Sequence, residues 1–321
     1  MCETLKGAVT MKAIIIEAYG DIEQFKEADL PEPVIAGQEV LVEVHAVAIN
    51  PIDWKIRAGY LQDYLPFDMP IVFGWDVSGV VKQVGVKVTD FSVGDEVLAR
   101  ADLKKPGAFA EMIAIDEAQL VKKPENLPFE EAAAIPLAGM TAWQMLFEKV
   151  KLISGETVLI HGGAGGIGIF AVQLANRAGA KVIATGSGRN KDFLLTLGVD
   201  RFIDYQKEDF QAVVHGADAV LDLIGGDVLE RSYKVLKPGG KLVSVAGQPD
   251  QEEVKRMGIT ASYLNSKIKI DQLEELARLA AIGELKVVLA AVLPFTLDGV
   301  RQAHALSETR HARGKIIVKV K

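Results

Sequence analysis

The 321-residue sequence holds a single cysteine, Cys2, so it offers no disulfide framework, no thiolate metal cluster and no strong thiol nucleophile. A reducing, cytoplasmic home is the expectation. Basic residues are in deficit too. With 36 Lys and Arg against 43 Asp and Glu, the formal charge is −7 and no basic stripe of the kind a nucleic-acid surface needs is present. No window is long and apolar enough to span a bilayer, and the N-terminus lacks the charged, apolar and small-residue order of a secretion signal. The five histidines, at 45, 161, 215, 304 and 311, show no H-x-x-x-H or comparable ligand spacing. Solvated or locally bonded roles account for them. Internal repeats and low-complexity stretches are also missing.

What is present is apolar mass: 49% hydrophobic residues, enough for two cores at roughly 100–200 residues per domain. Up to about residue 130 the texture is β, with runs at Ala13–Ala18, Glu39–Ile49, Gly79–Val84, Asp95–Ala99 and Ala108–Ile115 broken by glycine, proline and aspartate. Their even spacing predicts a compact barrel. From 132 to 283 strands alternate with helices, the pattern of a doubly wound parallel sheet. Its strands are predicted at Thr157–Ile160, Lys181–Thr185, Arg201–Tyr205, Ala219–Ile224, Lys241–Ala246 and Ile259–Leu264, with a last helix at Gln272–Ile282. The tail Lys315–Val320 reads as one more strand, which the β-rich first domain would host. The expected domains are therefore a discontinuous 11–131 with 284–321, an inserted 132–283, and a short N-terminal extension, 1–10.

Between the strand-like Thr157–Ile160 and a helical stripe of Ile167, Phe170, Ala171, Leu174 and Ala178 lies His161-Gly162-Gly163-Ala164-Gly165-Gly166-Ile167-Gly168. Glycines 163, 165 and 168 fit G-x-G-x-x-G. In that strand–turn–helix context they read respectively as the tight turn, the backbone approach to a pyrophosphate, and the close packing of helix on strand. The phosphates of a dinucleotide then sit on the free N–H groups of the helix. An NAD-selective fold places an acid about 20 positions further on. Here that place holds Gly186-Ser187-Gly188-Arg189-Asn190-Lys191, a hydroxyl and two cations suited to a 2′-phosphate, so the expected cofactor is NADPH.

Oxidising an unactivated alcohol needs a group that stabilises the developing alkoxide, and zinc held by Cys and His is one common solution. Its ligand pattern is absent. Two Tyr-x-x-x-Lys pairs, Tyr233 with Lys237 and Tyr263 with Lys267, offer a metal-free alternative, but neither falls in a suitable setting. The acceptor must then take a hydride readily by itself, as quinones and carbonyl-conjugated double bonds do.

Further motifs sharpen the reading: Ala48-Ile49-Asn50-Pro51-Ile52-Asp53 with Arg57-Ala58-Gly59, then Gly74-Trp75-Asp76-Val77-Ser78-Gly79-Val80-Val81, Gly139-Met140-Thr141-Ala142, and Gly314-Lys315-Ile316-Ile317-Val318. With the glycine loop, they make the chain from Met11 onward resemble the zinc-free quinone oxidoreductases of the medium-chain dehydrogenase/reductase superfamily. The resemblance implies an α/β fold with a GroES-like β-barrel catalytic domain plus a Rossmann domain, and an active site in the cleft between them. It also implies that Asn50 and Trp75 stand where zinc-bearing relatives carry a cysteine and a histidine.

By the same resemblance, Asn50 lies beside the nicotinamide ribose and the substrate, Thr141 near the nicotinamide, and Gly163, Ala164, Gly165, Gly166, Ile167 and Gly168 around the pyrophosphate. Ser187, Arg189 and Lys191 would hold the 2′-phosphate, and Tyr205 the adenosine end. Leu223-Ile224-Gly225 and Val245-Ala246-Gly247 would face the carboxamide. Related enoyl reductases carry a tyrosine two residues after the glycine matching Gly59, as a proton donor; here Leu61 is at that place and Tyr60 precedes it, so Tyr60 and Tyr64 are the candidates. The implied activity is NADPH-dependent reduction of quinones or other activated enones. Alternatives are 2-enoyl thioester or alkenal reduction, and a non-catalytic NADPH-binding redox sensor or structural protein. The implied assembly is a homodimer paired through Ile259–Leu264.

Overall fold

In a computed structural model describing residues 9–321, the first unit is built around its longest strand. Strands β1 (Thr10–Ile16), β2 (Phe25–Pro31), β3 (Glu39–Ile49), β4 (Ile71–Val72), β5 (Asp76–Val84), β6 (Glu96–Arg100), β7 (Met112–Asp116) and β8 (Leu120–Lys122) come first in the chain. β3 is buried along almost its whole length, because β5 and β7 both pair with it and only Glu43 and His45 retain partial exposure. Residues 1–8 of the expected N-terminal extension lie outside the described residues. Thr10 already pairs with Pro31, so β1 begins one residue before the expected Met11.

The second unit spans Ala138–Gln272 and Ile282–Val288. Its strands β9 (Thr157–Ile160), β10 (Lys181–Gly186), β11 (Arg201–Asp204), β12 (Ala217–Asp222), β13 (Leu236–Ser244) and β14 (Thr260–Tyr263) form one parallel sheet in the order β11-β10-β9-β12-β13-β14. The order reverses between β9 and β12. In open α/β sheets that reversal opens a crevice at the carboxyl ends of the strands, where ligands bind. The helix Gly166–Arg177 covers β9 with Ile169, Phe170, Val172 and Leu174 buried, and Gly179, at φ +77°, terminates it in the left-handed conformation that glycine adopts without strain.

The chain then returns to the first unit with β15 (Leu289–Pro294), the helix Leu297–Glu308 and β16 (Lys315–Lys319). β16 pairs antiparallel with β3, Ile316 opposite Ile49, and parallel with β15. This completes a sheet in the order β15-β16-β3-β5-β6-β8, beside a three-stranded β2-β1-β4. The first unit takes Leu273–Ala281 as well, most of the helix Ile270–Ala281 that the sequence reading groups with the second domain. Strands β2, β4, β8 and β15 were not anticipated: β2 and β15 carry lysine, acids or proline on edges, and β4 and β8 are too short to show a period.

His304 lies at the centre of the first core, edge-on to Phe25, Phe73 and Phe109 at 4.7–5.9 Å, with both ring nitrogens unpartnered. Burial pushes its pKa down to about 3. Among the described residues, no helix is long and apolar enough to cross a membrane.

Candidate active site

The turn after β9 owes its shape to glycines at three places. Gly162, rather than the expected Gly163, takes the left-handed conformation at φ +73°. At Gly163 a Cβ would stand 2.9 Å from Ala184 Cβ, and at Gly168 one would stand 2.3 Å from the Gly162 carbonyl oxygen, so strand and helix meet at backbone distance. At Gly165 the nearest atom to a Cβ would be 3.4 Å away, which leaves open the side by which a ligand enters. Gly165 also lacks a capping side chain, and its carbonyl first accepts from Ile169 N–H. The N–H groups of Gly166, Ile167 and Gly168 therefore have no partner within the helix, the donor set a pyrophosphate requires. The cradle fits a dinucleotide.

At the end of β10, Ser187 and Asn190 stabilise each other: Asn190 Nδ2 donates to Ser187 Oγ at 3.1 Å. Arg189, Lys191 and Tyr205 are exposed around this turn. An acid is present after all. Asp204 comes from β11, paired with Gly186, and a Cβ at Gly188 would lie 2.6 Å from its Oδ2. A search along the chain beyond the glycines misses it because it arrives from the neighbouring strand. Lys207 Nζ lies 3.8 Å from the same carboxylate and offsets its charge.

The turns after β12 and β13 are joined by a network that the sequence did not reveal. Asp222, fully buried, accepts from Ile224 N–H at 3.0 Å and Gly225 N–H at 2.9 Å with one oxygen and from the Ser244 hydroxyl at 2.6 Å with the other. Ser244 Oγ accepts in turn from Ala246 and Gly247 N–H at 3.0 and 3.1 Å. A Cβ on Gly162 would touch Ile224 at 3.1 Å, so the glycine loop and the first of these turns are neighbours. Thr141 is buried and donates to Ser266 Oγ at 3.0 Å.

His161 is buried between Thr185 Oγ1 and Ser232 Oγ, at 3.3 and 2.9 Å, and burial pushes its pKa down to about 4. It braces β9 against its neighbours as a neutral ring. Tyr233 likewise spends its hydroxyl as the acceptor for Asp250 N–H at 3.1 Å, and Lys237 pairs with Asp218, so that Tyr-x-x-x-Lys pair is not assembled for proton transfer.

In the first unit, Asn50 caps the helix Pro51–Arg57, its N–H donating to Asp53 Oδ2 at 2.6 Å. Its side chain turns inward: Nδ2 donates to Asp76 Oδ2 at 3.0 Å, and Oδ1 accepts from the Lys315 ammonium. Lys315 also donates to the Ile49 carbonyl at 3.1 Å and lies 4.0 Å from Asp76. Burial raises the pKa of Asp76 and lowers that of Lys315, while their mutual attraction opposes both shifts. Asp53, buried with Asp76 nearby, is pushed up to about 7.

These groups do not fit zinc. An ammonium occupies the space beside the Asp76 carboxylate, Asn50 presents an amide, and Trp75 is packed in the core with its indole N–H donating to the Lys105 carbonyl at 3.0 Å. Among the described residues, no three His, Cys, Asp or Glu side chains are arranged to hold a metal. Tyr60 and Tyr64 are 73% and 93% exposed, far more open than the Asn50 cluster; Tyr60 rests edge-on against Trp54 at 6.0 Å.

A GroES-like sheet followed by a parallel Rossmann sheet with a glycine-rich turn at its reversal point defines a medium-chain dehydrogenase/reductase. Residues 36–125 match the alcohol dehydrogenase GroES-like domain and residues 197–318 the zinc-binding dehydrogenase family. The chain is 36% identical over 317 residues to a 2-methylene-furan-3-one reductase of Solanum lycopersicum, covering 96% of this chain and 79% of that protein. It is 35% identical to the chloroplastic NADPH-dependent alkenal/one oxidoreductase of Arabidopsis thaliana, with the same coverage. The solved structure of a quinone oxidoreductase from Coxiella burnetii superposes with a TM-score of 0.90 at 36% identity, covering 98% of this chain and 100% of that one. The chain belongs to the quinone oxidoreductase family of the medium-chain dehydrogenase/reductase superfamily.

Proposed function

We propose that this protein is an NADPH-dependent oxidoreductase that reduces quinones or other activated enones without a metal ion. The observation that carries the reading is the open glycine turn at Gly165, with three N–H groups that have no partner within the helix at a sheet reversal. Bound NADPH supplies the hydride. All else falls to the chain. Residues 132–283, apart from the helical segment Leu273–Ala281 that belongs to the first unit, form the nucleotide-binding domain, and 11–131 with 284–321 the catalytic one. Gly163 to Gly168 hold the pyrophosphate; Ser187, Arg189 and Lys191 hold the 2′-phosphate; Tyr205 packs on the adenosine. The turns Leu223–Gly225 and Val245–Gly247, fixed by Asp222 and Ser244, present backbone to the nicotinamide with Thr141.

Asn50, Tyr60 and Tyr64 serve the acceptor. The Lys315 ammonium fixes which way the Asn50 amide points and supplies, in the protein's own charge, the positive centre that a metal provides elsewhere. A quinone can draw its protons from solvent, so Tyr60 and Tyr64 are proton donors only for enones. We assign the protein to the cytoplasm on its cysteine usage. The edge strand β14 is proposed to pair with its copy in a homodimer, which would cover an otherwise open ladder; light scattering on the purified protein tests it.

The activity itself is tested by mixing the pure protein with NADPH and either menadione or 9,10-phenanthrenequinone. Loss of the reduced-nicotinamide absorbance is expected, and no turnover across a quinone and enone panel overturns the reading.

A further inference from the structure

Trp54, on the helix that Asn50 caps, is a buried indole with two cations on it. The Lys55 ammonium lies 5.9 Å from the ring centroid and the Arg310 guanidinium 5.5 Å, both within cation–π range. Among the described residues, neither has a carboxylate within ion-pair distance. The acids nearby in sequence are engaged elsewhere: Asp53 accepts from the Asn50 N–H and Glu308 is paired with Arg57. Half-buried Lys55 has Arg310 as its electrostatic neighbour, and burial together with that repulsion lowers its pKa. Two like charges held on one ring without an acid cost stability. The carbonyl ends of the helices Pro51–Arg57 and Leu297–Glu308 offset part of that cost.

The backbone carries a second cost at the same place. Arg310 follows the helix cap Thr309 with φ +57°, in the left-handed region where helices ordinarily end on glycine. A non-glycine residue there is strained, because its Cβ crowds the following carbonyl oxygen. An arginine is thus kept where a glycine would be more stable, and its head group points at the ring that Lys55 also covers. Tyr60, largely exposed, forms a third side, edge-on to the indole.

We infer that Trp54, Lys55, Tyr60 and Arg310 form a binding site for a compact anionic group, such as a carboxylate, sulfonate or phosphate, on a planar acceptor. Trp54 lies about 6 Å along its helix from Asn50, at a rise of 1.5 Å per residue, a reach that suits a substituent on the ring system being reduced. The inference deepens the acceptor reading and rests on it for the identity of the ligand, though the site itself does not depend on turnover.

The test is equilibrium binding of 2-naphthalenesulfonate, 2-naphthoate and 2-naphthyl phosphate to the full-length protein, followed by calorimetry. Variants Lys55→Gln and Arg310→Gly are compared with wild type. Arg310→Gly suits the φ +57° backbone, so it should fold and melt at or above the wild-type temperature. Loss of a charge-assisted contact should weaken binding of at least one probe about tenfold in each variant; the probe most affected names the anion. Wild-type binding should also fall with added salt. Equal binding by wild type and both variants, or none by wild type, overturns the site.

Turnover separates this outcome from failure of the reductase reading. If the protein reduces 1,4-naphthoquinone, with no advantage for its 2-sulfonate that Arg310→Gly removes, the reductase reading stands and the acceptor role of the site falls. If neither quinone is reduced, the reductase reading falls, while the binding result still decides the site.

Discussion

The Ser244 hydroxyl lies 2.6 Å from the Asp222 carboxylate, and through that contact two adjacent turns of the Rossmann sheet share one buried charge. Removing Ser244 leaves the Ala246 and Gly247 N–H groups without their acceptor and takes the hydroxyl donor from Asp222 Oδ2, while Oδ1 keeps the Ile224 and Gly225 N–H groups. A penalty of about 1–3 kcal/mol is expected for Ser244→Ala, and more for Asp222→Ala. Cofactor contacts at the nicotinamide end should loosen while those at the 2′-phosphate persist. The measurement is chemical denaturation together with kcat and the KM for NADPH: kcat should fall more than KM rises.

Gly165 and Gly168 should separate fold from ligand. A methyl at Gly165 meets only the Gly162 carbonyl oxygen at 3.4 Å, so Gly165→Ala should melt within a few degrees of wild type and yet lose NADPH binding. Gly168→Ala, with its methyl 2.3 Å from the same oxygen, should lose both. Thermal melts and fluorescence titration with NADPH distinguish the two.

Arg189→Ala should weaken NADPH about tenfold or more and leave NADH within about twofold, since a charge-assisted contact to a 2′-phosphate has no counterpart in NADH. Equal effects on the two cofactors would remove Arg189 from the phosphate site.

His304 makes acid conditions unfavourable to the fold. Its folded pKa, about 3, lies below the 6.5 of the unfolded chain, so between these values the unfolded state binds more protons and stability rises with pH. Its contribution is fully present above about 6.5 and is lost as pH falls towards 3. Asp53 acts oppositely: its folded pKa of about 7 lies above 3.8, so its contribution is present below 3.8 and is lost as pH rises through 7. His304→Leu, which also removes two unpartnered nitrogens, should raise the melting temperature more at pH 5 than at pH 8. Asp53→Asn should help at pH 8, if at all. Melts of both variants across that range decide.

Lys315 is the buried partner on which Asp76 depends. Lys315→Met should cost about 3 kcal/mol by taking the ammonium from a buried carboxylate that then has Arg100 as its remaining cationic neighbour, and the double variant with Asp76→Asn should recover part of the loss. Denaturant melts of the four members of the cycle test the coupling.

Much of this was legible in the residues. β3 and β9 have the bounds their β-branched runs predict, and the glycine turn lies between strand and helix as its flanks require. The helix Pro51–Arg57 was hidden because seven residues hold too few turns for a period, although Asn50-Pro51 is a helix-start signal. Asp204, Asp222, Ser244 and Lys315 were illegible as site residues for a different reason. Each acts across strand pairs or over long stretches of chain, and spacing along the sequence carries no information about partners 22 or 265 positions away.

β16 is synthesised last among the strands and belongs beside β3. At roughly 5–20 residues per second, the Ala46–Ile49 ladder waits some tens of seconds for its neighbour during translation. In that interval the parallel sheet of residues 157–263 can already form, whereas the first unit is a half-zipped barrel whose Asn50 still lacks its ammonium. A nascent chain therefore completes the glycine turn before the Asn50–Lys315 cluster, and a stop codon just ahead of Lys315 should release a protein with the first and without the second.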